Sequence, residues 1–389
     1  MTHLDTTELM AMHTLLASRQ DEIVDSICKL VETESPSGDC EGSRAVVDLL
    51  VQSARTIPAI SSVERIPVPD YGEHLGVRAF GGQANDATTT LVLGHTDTVH
   101  PRGTLSTQSV QAESGRLYGP GIFDMKASCV LALEALRTLV TLDFIPKRPV
   151  VLLLTCDEEA GSQTGRQLVE EEARRAAQVL VLEPPAPGGQ VKTARKGVGM
   201  WQVKAHGIAS HAGLNPEAGA SAILEVARLT EQFHSMSDPV SGTNFNVGVV
   251  RGGTRSNVVA AEAEIEIDVR FSRTKEAQRV DELMSRLRSF DERVRLTVNG
   301  GINRGPLERT EGVVKLYQQA REIAACLGFE LGEQSVGGAS DGNFVAALGV
   351  PVLDGLGIDG GGAHAANEHI LISDIARRGA LVAGLIATL

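Results

Sequence analysis

Aromatic side chains are scarce in this chain: one Trp, three Tyr and nine Phe among 389 residues. Stacking platforms for single-stranded nucleic acid and aromatic belts at membrane interfaces both depend on such side chains. A surplus of positive charge is also missing. The formal net charge is −13, which disfavours a phosphate backbone as partner, so no nucleic acid is expected. No run of roughly 18 apolar residues occurs, and no membrane partner is expected. The first residues lack a basic segment followed by an apolar one, so they do not read as a secretory signal. Cysteines number five, an odd count, with no Cys-x-x-Cys pair. Cys28, Cys40, Cys129, Cys156 and Cys326 therefore read as reduced thiols, mostly filling core, and the cytoplasm is the expected location.

What is present points to a buried core and two domains. Apolar residues make up 42% of the chain. Leu91–Leu93 runs into Gly94-His95-Thr96-Asp97, Val150–Leu154 into Asp157-Glu158-Glu159, and Val179–Leu182 into Glu183. Short, continuous, β-branched runs suit strands buried on both faces. Helical patterns over 127–140 and 164–177 lie between them, after others over 7–33 and 42–55. Such alternation predicts an α/β fold with a mostly parallel sheet flanked by helices. Sites in such sheets form beyond the C-terminal strand ends, where these acids and the His fall.

Residues 197–305 read differently. Met200–Ala205 and Ala261–Arg270 alternate apolar with polar, as strands with one wet face do. Helical patterns cover 217–236 and 274–290. An α+β insert over 197–305 is predicted, between two parts of a catalytic domain, 1–196 and 306–389.

Each polar cluster has an ordinary reading when taken alone: a polar strand exit, an N-cap, a solvated acidic turn. Together they form a ligand set. His95 and Asp97, two apart on extended chain, point the same way. His95 can face a metal while Asp97 accepts its other N–H. Asp124 ends a glycine-punctuated loop, Gly115–Gly121, and its two oxygens can bridge a pair of ions. Of Glu158 and Glu159, one can bind metal while the other acts as general base. Glu183 precedes Pro184-Pro185, and His364 follows Gly360-Gly361-Gly362-Ala363. His95, Asp124, Glu159, Glu183 and His364 fit two ions sharing one carboxylate. Nitrogen and oxygen ligands without Cys favour two Zn2+, with Co2+ or Mn2+ as alternatives.

His95–Val99 (HTDTV), Gly115–Lys126 (GRLYGPGIFDMK), Asp157–Ser162 (DEEAGS), Leu182–Pro184 (LEP), Ser210–Gly213 (SHAG) and Gly360–His364 (GGGAH) occur in that order. In this they resemble the aminoacylase/carboxypeptidase family of cocatalytic zinc peptidases, and most nearly its glutamate carboxypeptidase branch. The resemblance spans nearly the whole chain. It implies one zinc on His95, Asp124 and Glu183, and a second on Asp124, Glu159 and His364. It implies Glu158 as general base and Asp97 as the residue behind His95. It further implies that 197–305 is a lid through which a homodimer forms, with His211 steadying the oxyanion. Arg270 and Asn257 would grip a substrate carboxylate, and Gly337 and Gly338 would lie beside the substrate. A cis peptide bond is implied at Asp124–Met125. Two departures stand out: Asp124 is followed by Met125-Lys126-Ala127, and His364 by Ala365-Ala366-Asn367-Glu368.

The expected activity is hydrolysis of an amide next to a free carboxylate, releasing a C-terminal amino acid, glutamate above all, from a small peptide or acyl conjugate. An N-acyl-amino-acid deacylase, a desuccinylase or a dipeptidase would use the same metal site. A non-catalytic small-ligand binding protein is the rival of another class, and would be expected to have lost ligands or base.

Overall fold

The computed structural model describes residues 4–81 and 88–389. They fall into two compact units. The first comprises the described residues up to Thr193 with Arg309–Val336 and Ser340–Leu389; the second comprises Ala194–Glu308 with Gly337–Ala339.

The first unit is built on a six-stranded sheet. From one edge the strands are Ile60–Val68, Gly72–Ala79, Val150–Thr155, Thr89–His95, Ala176–Val181 and Val352–Leu353. The first two run antiparallel to their neighbours, and the remaining four are mutually parallel. Every residue of Val150–Thr155 and of Thr89–His95 is buried, which is why their sequences carry no alternation. The helices Cys40–Ala54, Ala127–Thr141 and Gly165–Ala173 pack on the strands. Pairing continues past the strand ends, through Thr96 N–H to Thr155 O (2.8 Å) and Leu182 N–H to Leu93 O (2.9 Å). His95 thus sits on the central strand of three, with Asp157–Glu159 and Glu183 leaving from its two neighbours at the same rim.

Local signals account for some helix boundaries: Asp5, Asp39, Ser221 and Thr310 cap their helices through side-chain oxygens. Asp5 and Glu8 form a reciprocal capping box that starts the helix Thr6–Ser18. A second helix follows from Gln20 to Val31, so the segment read as one helix is two, broken at Arg19, whose guanidinium pairs with Glu134 of the helix Ala127–Thr141. The helix expected to reach 177 stops at Ala173, because Ala176 already pairs with Thr89 in the sheet.

The second unit is a four-stranded antiparallel sheet, ordered Asn244–Gly252, Glu262–Phe271, Gly197–His206 and Arg295–Arg304. Ala263, Ile265, Ile267, Val269 and Phe271 point to one face and are buried with side chains of the helices Ala222–Ser235 and Thr274–Ser285. Phe233 and Phe245 stack at the centre of this core, with ring centroids 6.0 Å apart. Phe245→Ala should destabilise the unit by ~3–5 kcal/mol in denaturant unfolding; a loss below about 1 kcal/mol would mean that the core closes over the gap.

No described helix is long and apolar enough to cross a membrane. The five cysteines are free thiols; Cys129 is buried, and burial pushes its thiol up to about 12.

Candidate metal centre

The parallel strands deliver His95, Glu158, Glu159 and Glu183 to one rim, and two loops of the same unit complete the group. The first loop follows the strand Arg116–Tyr118 and carries Asp124. Gly121 has φ +70°, and a Cβ there would lie 2.2 Å from the Thr98 methyl, so only glycine fits. The helix that starts at Ala127 takes no side-chain cap, so Asp124 is not spent as one. Its peptide bond to Met125 is cis, as the resemblance implies. The second loop, Gly360–Glu368, carries His364, which holds a left-handed φ of 63° that disfavours any residue with a Cβ.

Asp124 presents one oxygen to each imidazole. Oδ1 lies 3.1 Å from His95 Nε2, and Oδ2 lies 3.4 Å from His364 Nε2. Glu183 Oε1 lies 3.4 Å from His95 Nε2, and Glu159 Oε1 lies 3.2 Å from His364 Nε2. Two ligand atoms about 2.1 Å from one tetrahedral ion stand about 3.4 Å apart. The four separations match the edges that two such shells sharing Asp124 would have. Ligand-grade oxygens of Glu158 and Glu183 also lie within 4.8 Å of a His95 nitrogen and of one another. His95 is 1% exposed, while His364 is half exposed, so one end of the group is closed and the other is open to a ligand.

The local field suits cations. Burial alone would depress His95, but contacts with Asp124, Asp97 and Glu183 outweigh it and raise its pKa well above the ordinary range. Asp124 and Glu159 push His364 up to about 10. Burial raises Glu159, against the pull of His364. A proton on each imidazole meets the same surplus of carboxylate that a divalent ion would. Donor types, spacing and charge fit a pair of metal ions.

Asp97 does more than expected. His95 Nδ1 donates to the Asp97 main-chain oxygen at 2.9 Å, with the carboxylate farther off at 3.4 Å. That carboxylate instead accepts from Glu158 N (3.2 Å), Glu159 N (3.1 Å) and Ser37 Oγ (2.6 Å). It ties the His95 segment to the two glutamates. Of the three consecutive acids, Asp157 faces away. It is fully buried and accepts from Thr164 N at 2.6 Å and Thr164 Oγ1 at 2.9 Å.

Residues 91–388 match the sequence profile of Peptidase family M20/M25/M40. The chain belongs to that family. This M20 chain is therefore a hydrolase of peptide or related amide bonds. It is 30% identical over 379 residues to Carboxypeptidase G2 of Pseudomonas sp. (strain RS-16), covering 95% of this chain and 90% of that protein. It is 31% identical over 321 residues to the succinyl-diaminopimelate desuccinylase of Acidovorax ebreus (strain TPSY), covering 76% and 80% respectively. Its fold superimposes on aminopeptidase PepT from Bacillus cereus with a TM-score of 0.76 at 22% identity, covering 95% of this chain and 98% of that one.

The remaining residues implied by the resemblance lie in the second unit of the M20 chain. His211 is exposed, and its Nδ1 accepts from Gly213 N and Leu214 N, both at 3.1 Å. The neutral ring then carries its proton on Nε2, as a donor to an oxyanion must. Asn257 lies beside it, its main-chain oxygen accepting from Ala212 N at 3.0 Å. Arg270 is engaged within its own strand: Nε and Nη2 reach the Asp268 carboxylate at 2.7 and 2.8 Å. A substrate carboxylate would have to share that guanidinium or displace Asp268. A Cβ on Gly337 or Gly338 would meet nothing within 4 Å, so the fold itself does not require glycine at either position. Arg195 anchors this loop through the Gly338 carbonyl at 3.3 Å.

The sequence reading assigned no role to Ser37 or His100, and Glu368 stood out there only as the last residue of the departure after His364. Only Glu368 left a legible signal, a fourth acid placed one short turn after a candidate ligand.

Proposed function

We propose that this chain is a two-zinc exopeptidase that hydrolyses the amide bond next to a free carboxylate and releases a C-terminal amino acid, with glutamate preferred. The observation that carries the metal count is Asp124, one oxygen on each His. The resemblance to the glutamate carboxypeptidase branch and the Carboxypeptidase G2 relative support the substrate class. When bound, the metal pair would supply a polarised scissile carbonyl and a water of lowered pKa. The protein's own groups do the rest. Asp97 holds His95 and the Glu158–Glu159 backbone in register. Glu158 takes a proton from the attacking water and hands it to the leaving nitrogen as the C–N bond breaks, giving an amine and a carboxylic acid. His211 Nε2–H donates to the developing oxyanion. Arg270 and Asn257 hold the terminal carboxylate, turning collision into oriented attack. The bare backbone at Gly337 and Gly338 leaves room for the substrate. The second unit acts as lid and forms a homodimer, a reading supported by the edge strand Asn244–Gly252, whose outer side pairs with no strand among the described residues.

The desuccinylase relative favours a second reading, cleavage of an N-acyl group from an amino acid at the same centre. A panel of peptides ending in Glu, Asp or neutral residues, run beside N-acetyl and N-succinyl amino acids, separates the two. C-terminal glutamate should raise kcat/KM by ~10–100-fold over neutral ends, the worth of a charge-assisted hydrogen bond. Faster turnover of acyl amino acids would replace the carboxypeptidase by a deacylase. Metal-loaded protein that hydrolyses none of them would be a binding protein.

A further inference from the structure

Resting on the two-metal reading, we propose that Glu368 is the positioning residue of this centre, holding three ligand-bearing segments at the separation that two ions need. Its side chain is 1% exposed. One oxygen, Oε1, accepts from the main-chain N–H of Phe123 and of Asp124 itself, each at 2.9 Å. The other, Oε2, accepts from Gly121 N at 3.0 Å and from His100 Nε2 at 2.6 Å. The Glu368 main-chain oxygen takes Gly119 N at 3.1 Å. Four main-chain N–H groups of the loop that carries the shared ligand, those of Gly119, Gly121, Phe123 and Asp124, are thereby held by one residue.

That residue stands at the junction of all three segments. His100 leaves the same strand exit as His95, five residues on. Glu368 follows His364 by four residues, through a tight turn closed by Ala365 N–H to Gly362 O at 2.9 Å and Glu368 N–H to Ala365 O at 3.2 Å. The segments that carry His95, Asp124 and His364 therefore meet at one buried carboxylate. An acceptor-only group is required here, because four donors converge on it. Glutamine in its place must aim an N–H at another N–H, and the Asp124 loop would shift. Ligand distances tolerate only about ±0.2 Å, so such a shift reads out as metal affinity.

A carboxylate that merely glues loops together would change the melting temperature and leave affinity in the folded protein alone. The test is E368Q, compared with wild type in three measurements: zinc Kd of the metal-free protein by chelator competition, Tm of the metal-free protein, and kcat against KM with zinc in excess. Weakening of zinc by ~10–100-fold is expected, as for partners that orient metal ligands. A fall in kcat with little change in KM should accompany it, since Glu368 bonds to His100 and to the loop that carries Asp124 rather than to a residue proposed to hold substrate. E368Q that binds two zinc ions with wild-type Kd overturns the proposal, whatever its Tm. Wild type that binds no second ion overturns the two-metal reading instead, and the proposal falls with it. If E368Q does not fold, H100A carries the test. It removes one donor and leaves the backbone bonds in place, so zinc should weaken by a few-fold, below about 10-fold, and an unchanged Kd overturns the proposal.

Discussion

Asp124→Ala should leave the protein folded, strip most of its bound metal, and reduce hydrolysis to background. Each Asp124 oxygen faces a different imidazole, at 3.1 and 3.4 Å, so in the proposed two-metal centre the one substitution would remove a ligand from both ions. It also removes the negative charge between two cations that would otherwise stand about 3.5–4 Å apart. Their mutual repulsion is strong at that distance in a partly buried site, and a carboxylate between them is what offsets it. The fold should survive, because the loop's main-chain bonds to Glu368 do not involve the Asp124 side chain. Asp124→Asn keeps one good acceptor and loses the charge, so it should retain a single ion. Elemental analysis after dialysis, with circular dichroism to verify folding, reads out both variants. Full metal content in Asp124→Ala would remove the shared carboxylate from the site.

Glu158→Gln should keep its metal and lose turnover by ~10²–10⁴-fold in kcat, the usual worth of a positioned general base. The variant is isosteric, and the Glu158 N–H to Asp97 bond at 3.2 Å is untouched, so geometry is preserved while proton acceptance is lost. Metal content is the decisive control. Glu158 lies within ligand reach of His95 and Glu183, and Glu159 lies within the same reach of His95 and Asp124 as well as 3.2 Å from His364. If Glu158→Gln loses one ion, Glu158 is a ligand of the His95 shell and the base is some other group. If it keeps both ions and full kcat, the assignment of the base fails outright.

How much of this was readable beforehand differs by element. The three apolar runs that end in His or acid were legible as buried parallel strands, because strands covered on both faces show no alternation. The insert was legible for the opposite reason: Glu262–Phe271 alternates without a break, and its buried positions are the ones that face the helices. The antiparallel strands Ile60–Val68, at the sheet edge, and Gly72–Ala79, beside it, were not assigned. The first is half exposed throughout and carries Pro67, so neither period shows. The overlong helix to 177 followed from Glu, Ala and Arg at 170–177, a composition that favours helix until sheet pairing overrides it. Asp97 was expected to accept the other His95 N–H on its carboxylate; its main-chain oxygen takes that bond instead, and the carboxylate bonds to the backbone of Glu158 and Glu159, a contact across two strands that spacing cannot supply.

Residue types and their order along the chain were enough to determine the α/β architecture, the alternating insert and a set of nitrogen and oxygen ligands suited to metal. Local periodicity and donor chemistry depend only on neighbours in the chain. Tertiary structure alone decided that Asp157 turns inward while its two neighbours face the site, that Arg270 is already held by Asp268, and that Glu368 bonds at once to His100 and to the loop that carries Asp124. Those relations join residues as far apart as Glu159 and His364, and they arise only when parallel pairing brings distant strand ends and loops to a common rim.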